Sequence, residues 1–205
     1  IGLTTAFEQG IFTRLVARLH ERFGKSLRVA RAASPKLVSE LRKGRLDAAF
    51  VALPLDVPGL ESRPAGYTEP LVAALPADWP QAAAKTLKLA DCNGKPLFWF
   101  RRDANPAFFD YARSVFAYAN YAPVFLEEPA EHDVYLARIA AGEGMGLLAG
   151  SFAAIQRRGV VFHALLDREI LNLELGLVCS SAKQHIMGEI LSLAGGALGE
   201  DSGQS

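Results

Sequence analysis

Cysteine is the scarcest signal in this chain of 205 residues: Cys92 and Cys179 are the only two, far apart and outside any CxxC. That spacing signals neither a disulfide framework nor a zinc site, and it fits a reducing cytoplasm. Charge of one sign is also missing. Lys plus Arg and Asp plus Glu both total 22, so the net charge is zero. No positive surplus is left to neutralise phosphates, and the chain by itself is a poor nucleic-acid binder. No apolar run approaches the ~18 residues of a membrane-spanning helix, and no secretory leader pattern is present. Catalytic spacing is equally thin. His20, His132, His163 and His185 share no ligand spacing, and HExxH is absent. Ser151, in Ala149-Gly150-Ser151-Phe152-Ala153, lacks the second glycine of a nucleophile elbow. No acid, base and nucleophile come together by spacing, so no enzyme activity, metal or cofactor is expected.

What the chain does have is a repeated phrase. An amphipathic helical stretch runs into a glycine and then into a short apolar strand at Leu37 to Val51, through Leu41-Arg42-Lys43-Gly44-Arg45-Leu46-Asp47-Ala48-Ala49, and again at Val134 to Leu148, through Gly142. A glycine just past a helix takes the left-handed backbone without a Cβ penalty, so the chain reverses directly into a sheet. Each phrase is half of a βαβ unit, and the pair predicts an α/β protein of two similar lobes with a cleft for a small molecule.

The rest of the chain fits that frame. Strands are expected over residues 1–4, 27–32, 46–51, 69–76, 97–100, 124–127, 145–148, 160–162 and 173–180. Helices are expected over 11–23, from Ser34 to Gly44, from Asn105-Pro106 onward, over 130–141, 151–156 and 185–193. The first helix carries Ile11, Phe12, Leu15, Val16, Leu19 and Phe23 at helical spacing. The Pro- and Gly-rich segment 54–64 reads as surface loop. Residues 1–71 and 176–194 form lobe I in this reading, 72–175 form lobe II, and 195–205 are a disordered tail.

Ligands of open α/β sheets collect beyond the carboxyl ends of the strands, where the next helix begins. Three such junctions stand out: Thr4-Thr5-Ala6, Ser34-Pro35, and Arg101 to Asn105. Their free amides and hydroxyls favour an anion such as a carboxylate. The alternative is that Ser34 and Asn105 only cap their helices. Arg101 and Arg102 either clamp a carboxylate, one of them at most pointing inward, or are solvated beside Asp103. Phe98 and Trp99 are assigned to the core. Gly142-Glu143-Gly144-Met145-Gly146 runs from helix to strand, the wrong order for a phosphate loop. His132 and Asp133 either polarise each other or form a surface pair at a helix start.

In order and spacing these phrases resemble the effector-binding domain of LysR-type transcriptional regulators. The matching pieces are Ile1-Gly2-Leu3, the phrase around Gly44, Glu69-Pro70-Leu71-Val72, the segment from Ala140 to Leu148, and Leu175-Gly176-Leu177-Val178. The resemblance implies two Rossmann-like lobes joined by two crossover strands, like type 2 periplasmic-binding proteins, with an effector between them. It implies an N-terminal winged helix-turn-helix and linker helix beyond this chain, which starts at Ile1 without Met and reads as a piece of a longer protein. It also implies homodimers or tetramers, for which the helix from Ile11 to Phe23 is the candidate interface.

Carried over by position, Ser34, with Pro35 beside it, matches the effector-contacting Ser/Thr, and Thr5 and Ala6 match the turn after the first strand. Asn105, Pro106 and Phe108 match the loop and helix start of lobe II, and His132 and Asp133 the start of the helix at the pocket floor. Ala6, where a hydroxyl is frequent, and Ala149, where proline is frequent, depart from the pattern. The function expected is a cytoplasmic, non-enzymatic sensor that binds a small organic effector, a carboxylate by preference, and touches DNA only through the missing domain, with no membrane partner. The alternatives are a free solute-binding protein of a transporter and an enzyme on the same scaffold.

Overall fold

The structure, a computed structural model, describes residues 1–167 and 171–198. Its elements in chain order are β1 (Gly2–Thr4), α1 (Thr13–Phe23), β2 (Ala30–Ala32), α2 (Ser34–Arg42), β3 (Ala48–Leu53) and β4 (Glu61–Pro76). There follow β5 (Pro96–Trp99), α3 (Pro106–Tyr118), β6 (Val124–Glu127), α4 (His132–Ala140), β7 (Gly146–Ala149), β8 (Val160–Ala164), β9 (Asn172–Cys179) and α5 (Gln184–Ala194). The chain divides into two units, Ile1–Thr68 with Leu173–Ser205, and Glu69–Asn172. The sequence places the crossings after Leu71 and Leu175. The structure puts them slightly earlier, within β4 and at the start of β9.

The first unit is built on β1. This strand is fully buried and pairs in parallel with β2 on one side (Leu3 opposite Arg31) and β3 on the other (Leu3 opposite Phe50). Strand β3 pairs antiparallel with β9. Because β3 has neighbours on both faces, it is a continuous apolar run rather than an alternating one. Leu37, Val38 and Leu41 of α2 pack on Ala49, Val51 and Val178 as one buried cluster. Helix α1 buries Leu15 and Leu19 and packs along α5. Arg18 of α1 donates to the carbonyls of Leu193 and Gly195 at the end of α5 (3.2 and 2.8 Å). Arg22 pairs with Glu189.

In the second unit, β4 pairs antiparallel with both β7 and β8, and β5 pairs in parallel with β6. Phe98 N–H donates to Met145 O and Met145 N–H to Pro96 O (2.9 Å each), which joins β5 to the chain entering β7. Side chains of β5 alternate between two helices. Phe98 meets Tyr135 of α4 edge-on at 5.6 Å, and Trp99 meets Phe108 and Phe116 of α3 at 5.9 and 5.5 Å. Both β5 residues are buried, as their core assignment requires.

Both helix-glycine-strand phrases form. Gly44 (φ 66°) and Gly142 (φ 82°) are left-handed. The amides of Gly44 and Arg45 return to the carbonyls of Leu41 and Glu40 (3.0 Å each), closing the helix end. Other expectations need correction. The strand expected over 27–32 shortens to Ala30–Ala32, because Leu27 closes the preceding 3-10 turn, its N–H donating to Gly24 O (3.2 Å). The surface loop ends at residue 60, since β4 begins at Glu61. The helix expected over 151–156 is a 3-10 turn, Gly150–Ala154. In the tail, residues 195–198 are ordered in a turn with Ala197 buried and bonded to Ala194 O (3.0 Å). Residues 199–205 of the expected tail lie outside the described residues.

Two alanine substitutions separate backbone conformation from packing. A Cβ at Gly44 or at Gly188 meets nothing within 4 Å. Gly44 is left-handed, whereas Gly188 sits inside α5. Gly44→Ala is expected to lower stability by about 1 kcal/mol, and Gly188→Ala to raise it by about 0.5–1 kcal/mol. Urea denaturation at equal m-value reads both signs.

Candidate functional site

In the first unit the carboxyl ends of β1 and β2 lead into the start of α2. Thr4 and Ser34 are buried there. Their hydroxyl oxygens lie 2.7 Å apart. Ala52 N–H donates to Ser34 Oγ (2.9 Å), and Ala6 N–H donates to Thr4 Oγ1 (3.2 Å). Ser34 is therefore not the cap of α2: that position is Ala33, and no side chain caps it. Ser34 instead ties the start of α2 to β1 and to the end of β3. Thr5 and Ala6 form the half-buried turn after β1, and Thr5 N–H extends the ladder to Ala32 O (3.1 Å).

Counting hydrogens shows what this cluster can do. Two hydroxyls carry two hydrogens, and one is used between them. Both oxygens already accept a backbone N–H, so the second hydroxyl hydrogen has no acceptor among the described residues. The helix start offers less than expected: Pro35 has no N–H, and Lys36 and Leu37 give theirs to Ala33 O (3.0 and 3.1 Å). The donor left at this junction is a hydroxyl, not a set of free amides.

In the second unit Asn105 is a cap: its Oδ1 accepts Phe108 N–H (3.2 Å), with Pro106 opening α3. Phe108 is buried and stacks on Phe100 at 5.7 Å. Arg101 is not a free clamp. Its Nε and Nη2 donate to Asp103 (3.2 and 2.7 Å), and Arg102 grips Asp110 in the same way (2.8 and 2.6 Å). These guanidinium groups hold the two aspartates below the usual carboxylate range. A cavity of ≈ 590 Å³ lies beside this pair, lined by Trp99, Phe100, Phe109, Phe125 and Glu127 among others.

His132 opens α4, but its ring stacks on Phe152 (4.8 Å, 21°). Burial pushes its pKa below the ordinary histidine value, against the opposing charge of Asp133. It is a neutral aromatic surface at neutral pH, not a cation. Two residues escaped the sequence reading. Glu69, buried at the start of the second unit, accepts Ser151 N–H (2.7 Å) and holds the turn after β7. Glu128 follows β6, its amide donating to Trp99 O (3.3 Å). Burial raises its carboxyl to about 7, and no described residue pairs with it. Its charge also helps raise Tyr135, whose hydroxyl donates to Phe98 O (3.3 Å). Glu127-Glu128-Pro129 at a strand end was the available signal.

Among the described residues no group of three or more His, Cys, Asp or Glu is placed to hold a metal. Among them no helix is long and apolar enough to cross a membrane. Cys92 and Cys179 are both buried and free, and burial drives the Cys92 thiol up to about 11 and Cys179 upward. On α1, Thr13, Ala17 and Glu21 form one exposed stripe, while Arg18 and Arg22 are engaged with α5.

Comparison with known proteins agrees with this architecture. The family model described as LysR substrate binding domain matches residues 1–186. The HTH-type transcriptional regulator IlvR of Caulobacter vibrioides is 28% identical over 181 residues, 87% of this chain and 60% of that protein. CatR of Pseudomonas putida, also an HTH-type transcriptional regulator, is 25% identical over 167 residues, 82% of this chain and 57% of that protein. The chain thus spans about 60% of the length of these relatives. Among solved structures, the OxyR C206 mutant of Corynebacterium glutamicum has a TM-score of 0.77 at 20% identity, covering 96% of this chain and 62% of that one. The effector binding domain of a BenM variant has a TM-score of 0.73 at 21% identity, covering 94% and 92%. These neighbours share the type 2 periplasmic-binding-protein-like fold. With the family model covering nearly the whole sequence, the chain belongs to the LysR substrate binding domain family.

Proposed function

We propose that this chain is the effector-sensing domain of a LysR-type transcriptional regulator, and that Thr4 and Ser34 are its anchor for a small organic acid. The observation that carries this reading is the buried hydroxyl pair with one hydrogen left over. A buried donor without an acceptor is costly, and a carboxylate oxygen satisfies it at the strand ends where ligands of this fold collect. In the second unit the guanidinium groups of Arg101 and Arg102 are held by Asp103 and Asp110. The acid is then recognised by neutral donors rather than by a cationic clamp. DNA contact belongs to a helix-turn-helix outside this chain, which acts in the cytoplasm beside its operator. Self-association runs through the exposed stripe of α1, whose small Ala17 permits close approach.

The likeness to OxyR raises peroxide sensing through a thiol as a second reading. The chain's thiols argue against it, since the thiolate is the reactive form and both cysteines are buried with raised pKa. Neither thiol is expected to react with a thiol reagent or with peroxide in the native protein, and both are expected to react after denaturation. Rapid native labelling of either one restores the redox reading.

The effector reading is tested by a thermal-shift screen against organic acids, sugars, amino acids and aromatic compounds. A ligand at about 100 times its Kd adds about 2.7 kcal/mol, a shift of several degrees. Thr4→Val keeps the Ala52 to Ser34 bond and is expected to weaken an acid hit about tenfold. Ser34→Ala strands the Ala52 amide, so it also costs the ligand-free protein about 1–3 kcal/mol. An acid whose shift in both variants equals its shift in wild type overturns the anchor assignment. For the interface, light scattering is expected to show a dimer that Ala17→Glu converts to monomer, because the new charge lies one turn from Glu21. A wild-type monomer at high concentration overturns the α1 assignment.

A further inference from the structure

The second unit carries an aromatic corner that its own core does not close. Phe100 directly follows β5 and stacks on buried Phe108 at 5.7 Å, the two rings nearly parallel (10°). Adjacent residues of a helix do not share a face, so Phe108 fills the core while Phe109 turns out of it. Phe109 stands edge-on to Phe100 (5.9 Å, 84°), and Phe125 of β6 lies 6.1 Å from Phe109. Phe109 is half-buried and Phe125 is 37% exposed. These three rings, with Trp99, wall the cavity of ≈ 590 Å³ beside the carboxyl ends of β5 and β6. Every residue of that wall belongs to the second unit.

Charge in the wall is unequal once its ion pairs are set aside. Arg101 closes on Asp103, and Arg102 closes on Asp110 with both arms of its fork. Glu127, the last residue of β6, is left over. It is exposed and has no hydrogen-bond partner among the described residues. Arg101 feels its charge but donates to Asp103 instead. The faces of aromatic rings attract cations. Phe125 already does so on one side, where the Arg113 guanidinium lies over its ring at 5.7 Å. A primary ammonium would have to give up hydration of its N–H groups against rings that accept weakly. A quaternary ammonium has no N–H to satisfy, so the same wall costs it no hydrogen bonds.

We infer that this cavity is a binding site for a quaternary ammonium group, which packs against Phe100, Phe109 and Phe125 with Glu127 as its counter-charge. The site lies in the second unit and stands whether or not Thr4 and Ser34 of the first unit anchor an acid. A simple organic anion gains nothing here, because the ring faces repel it and both guanidinium forks are occupied.

The experiment is titration of the chain with choline and with 3,3-dimethylbutan-1-ol, its uncharged isostere, in a Trp79→Phe background. Trp99 is then the one remaining indole of the chain, and it lines the cavity, so its emission reports occupancy. Choline is expected to bind about tenfold more tightly than the alcohol. Glu127→Gln and Phe109→Leu are each expected to remove most of that preference. Leucine keeps apolar volume at a half-buried position, so the alcohol binds Phe109→Leu as it binds the parent. Glu143→Gln changes the net charge equally at a residue outside this wall and keeps the preference. Equal affinity for choline and the alcohol means the rings bind apolar surface alone and overturns the inference, as does a preference that survives both substitutions. Choline that alters neither Trp99 emission nor its own methyl resonance in the presence of the chain overturns it too. In that event, a Phe125→Ser variant that turns a dimer into a monomer in light scattering assigns the ring wall to a second copy of the chain. None of these failures touches the acid anchor, which is read in variants of the first unit.

Discussion

The hydrogen bonds gathered on Ser34 Oγ hold the strand ends of the first unit in place. This one oxygen sits between the Thr4 hydroxyl at the end of β1 and the Ala52 amide near the end of β3, while its own residue opens α2. Three elements separated in sequence are fixed to one buried atom. A buried hydroxyl of this kind is worth more by what its loss exposes than by its own bond, because the amide it satisfies has no substitute. The same arithmetic leaves one hydrogen unclaimed. Structure and the proposed anchor thus follow from a single count of donors and acceptors.

Electrostatics in this chain are settled locally. The net charge is zero, and the arginines that looked available for an anion are paired with aspartates two and eight residues away. Such exposed pairs add little stability. Their effect is on availability: each guanidinium fork is occupied, so neither is free to clamp an anion without displacing its aspartate. Glu128 departs from this pattern as an acid with no internal partner, and its desolvation keeps it near the pH where it can be charged or neutral.

The fold was legible because it depends on local periodicity and on backbone conformation. Gly44 and Gly142 mark helix ends by their left-handed backbone, and the apolar runs of β3, β5 and β7 announce strands buried on both faces. Asn105 with Pro106 was readable as a cap because its bond closes within three residues. Ser34 looks identical in sequence and does something else, since its partners lie 30 and 18 positions away. Glu128 was hidden for a related reason. Whether a glutamate at a strand end is solvated or buried depends on α4 packing over β5, through contacts such as Tyr135 on Phe98 that no local pattern encodes. Strand β4 was underestimated because Pro64 belongs to the Pro- and Gly-rich segment that read as loop.

Contact strength limits how such a domain can signal. Moving a two-state equilibrium from 1:99 to 99:1 requires a ligand to prefer one arrangement by about 5.5 kcal/mol. A neutral hydrogen bond to the Thr4–Ser34 pair contributes about 0.5–1.5 kcal/mol, and a charge-assisted one about 1.5–3 kcal/mol. The hydroxyl pair alone therefore gives affinity but not a switch. A ligand with equal affinity for two states shifts nothing between them. The differential affinity has to come from further contacts that are made in one state and lost in the other.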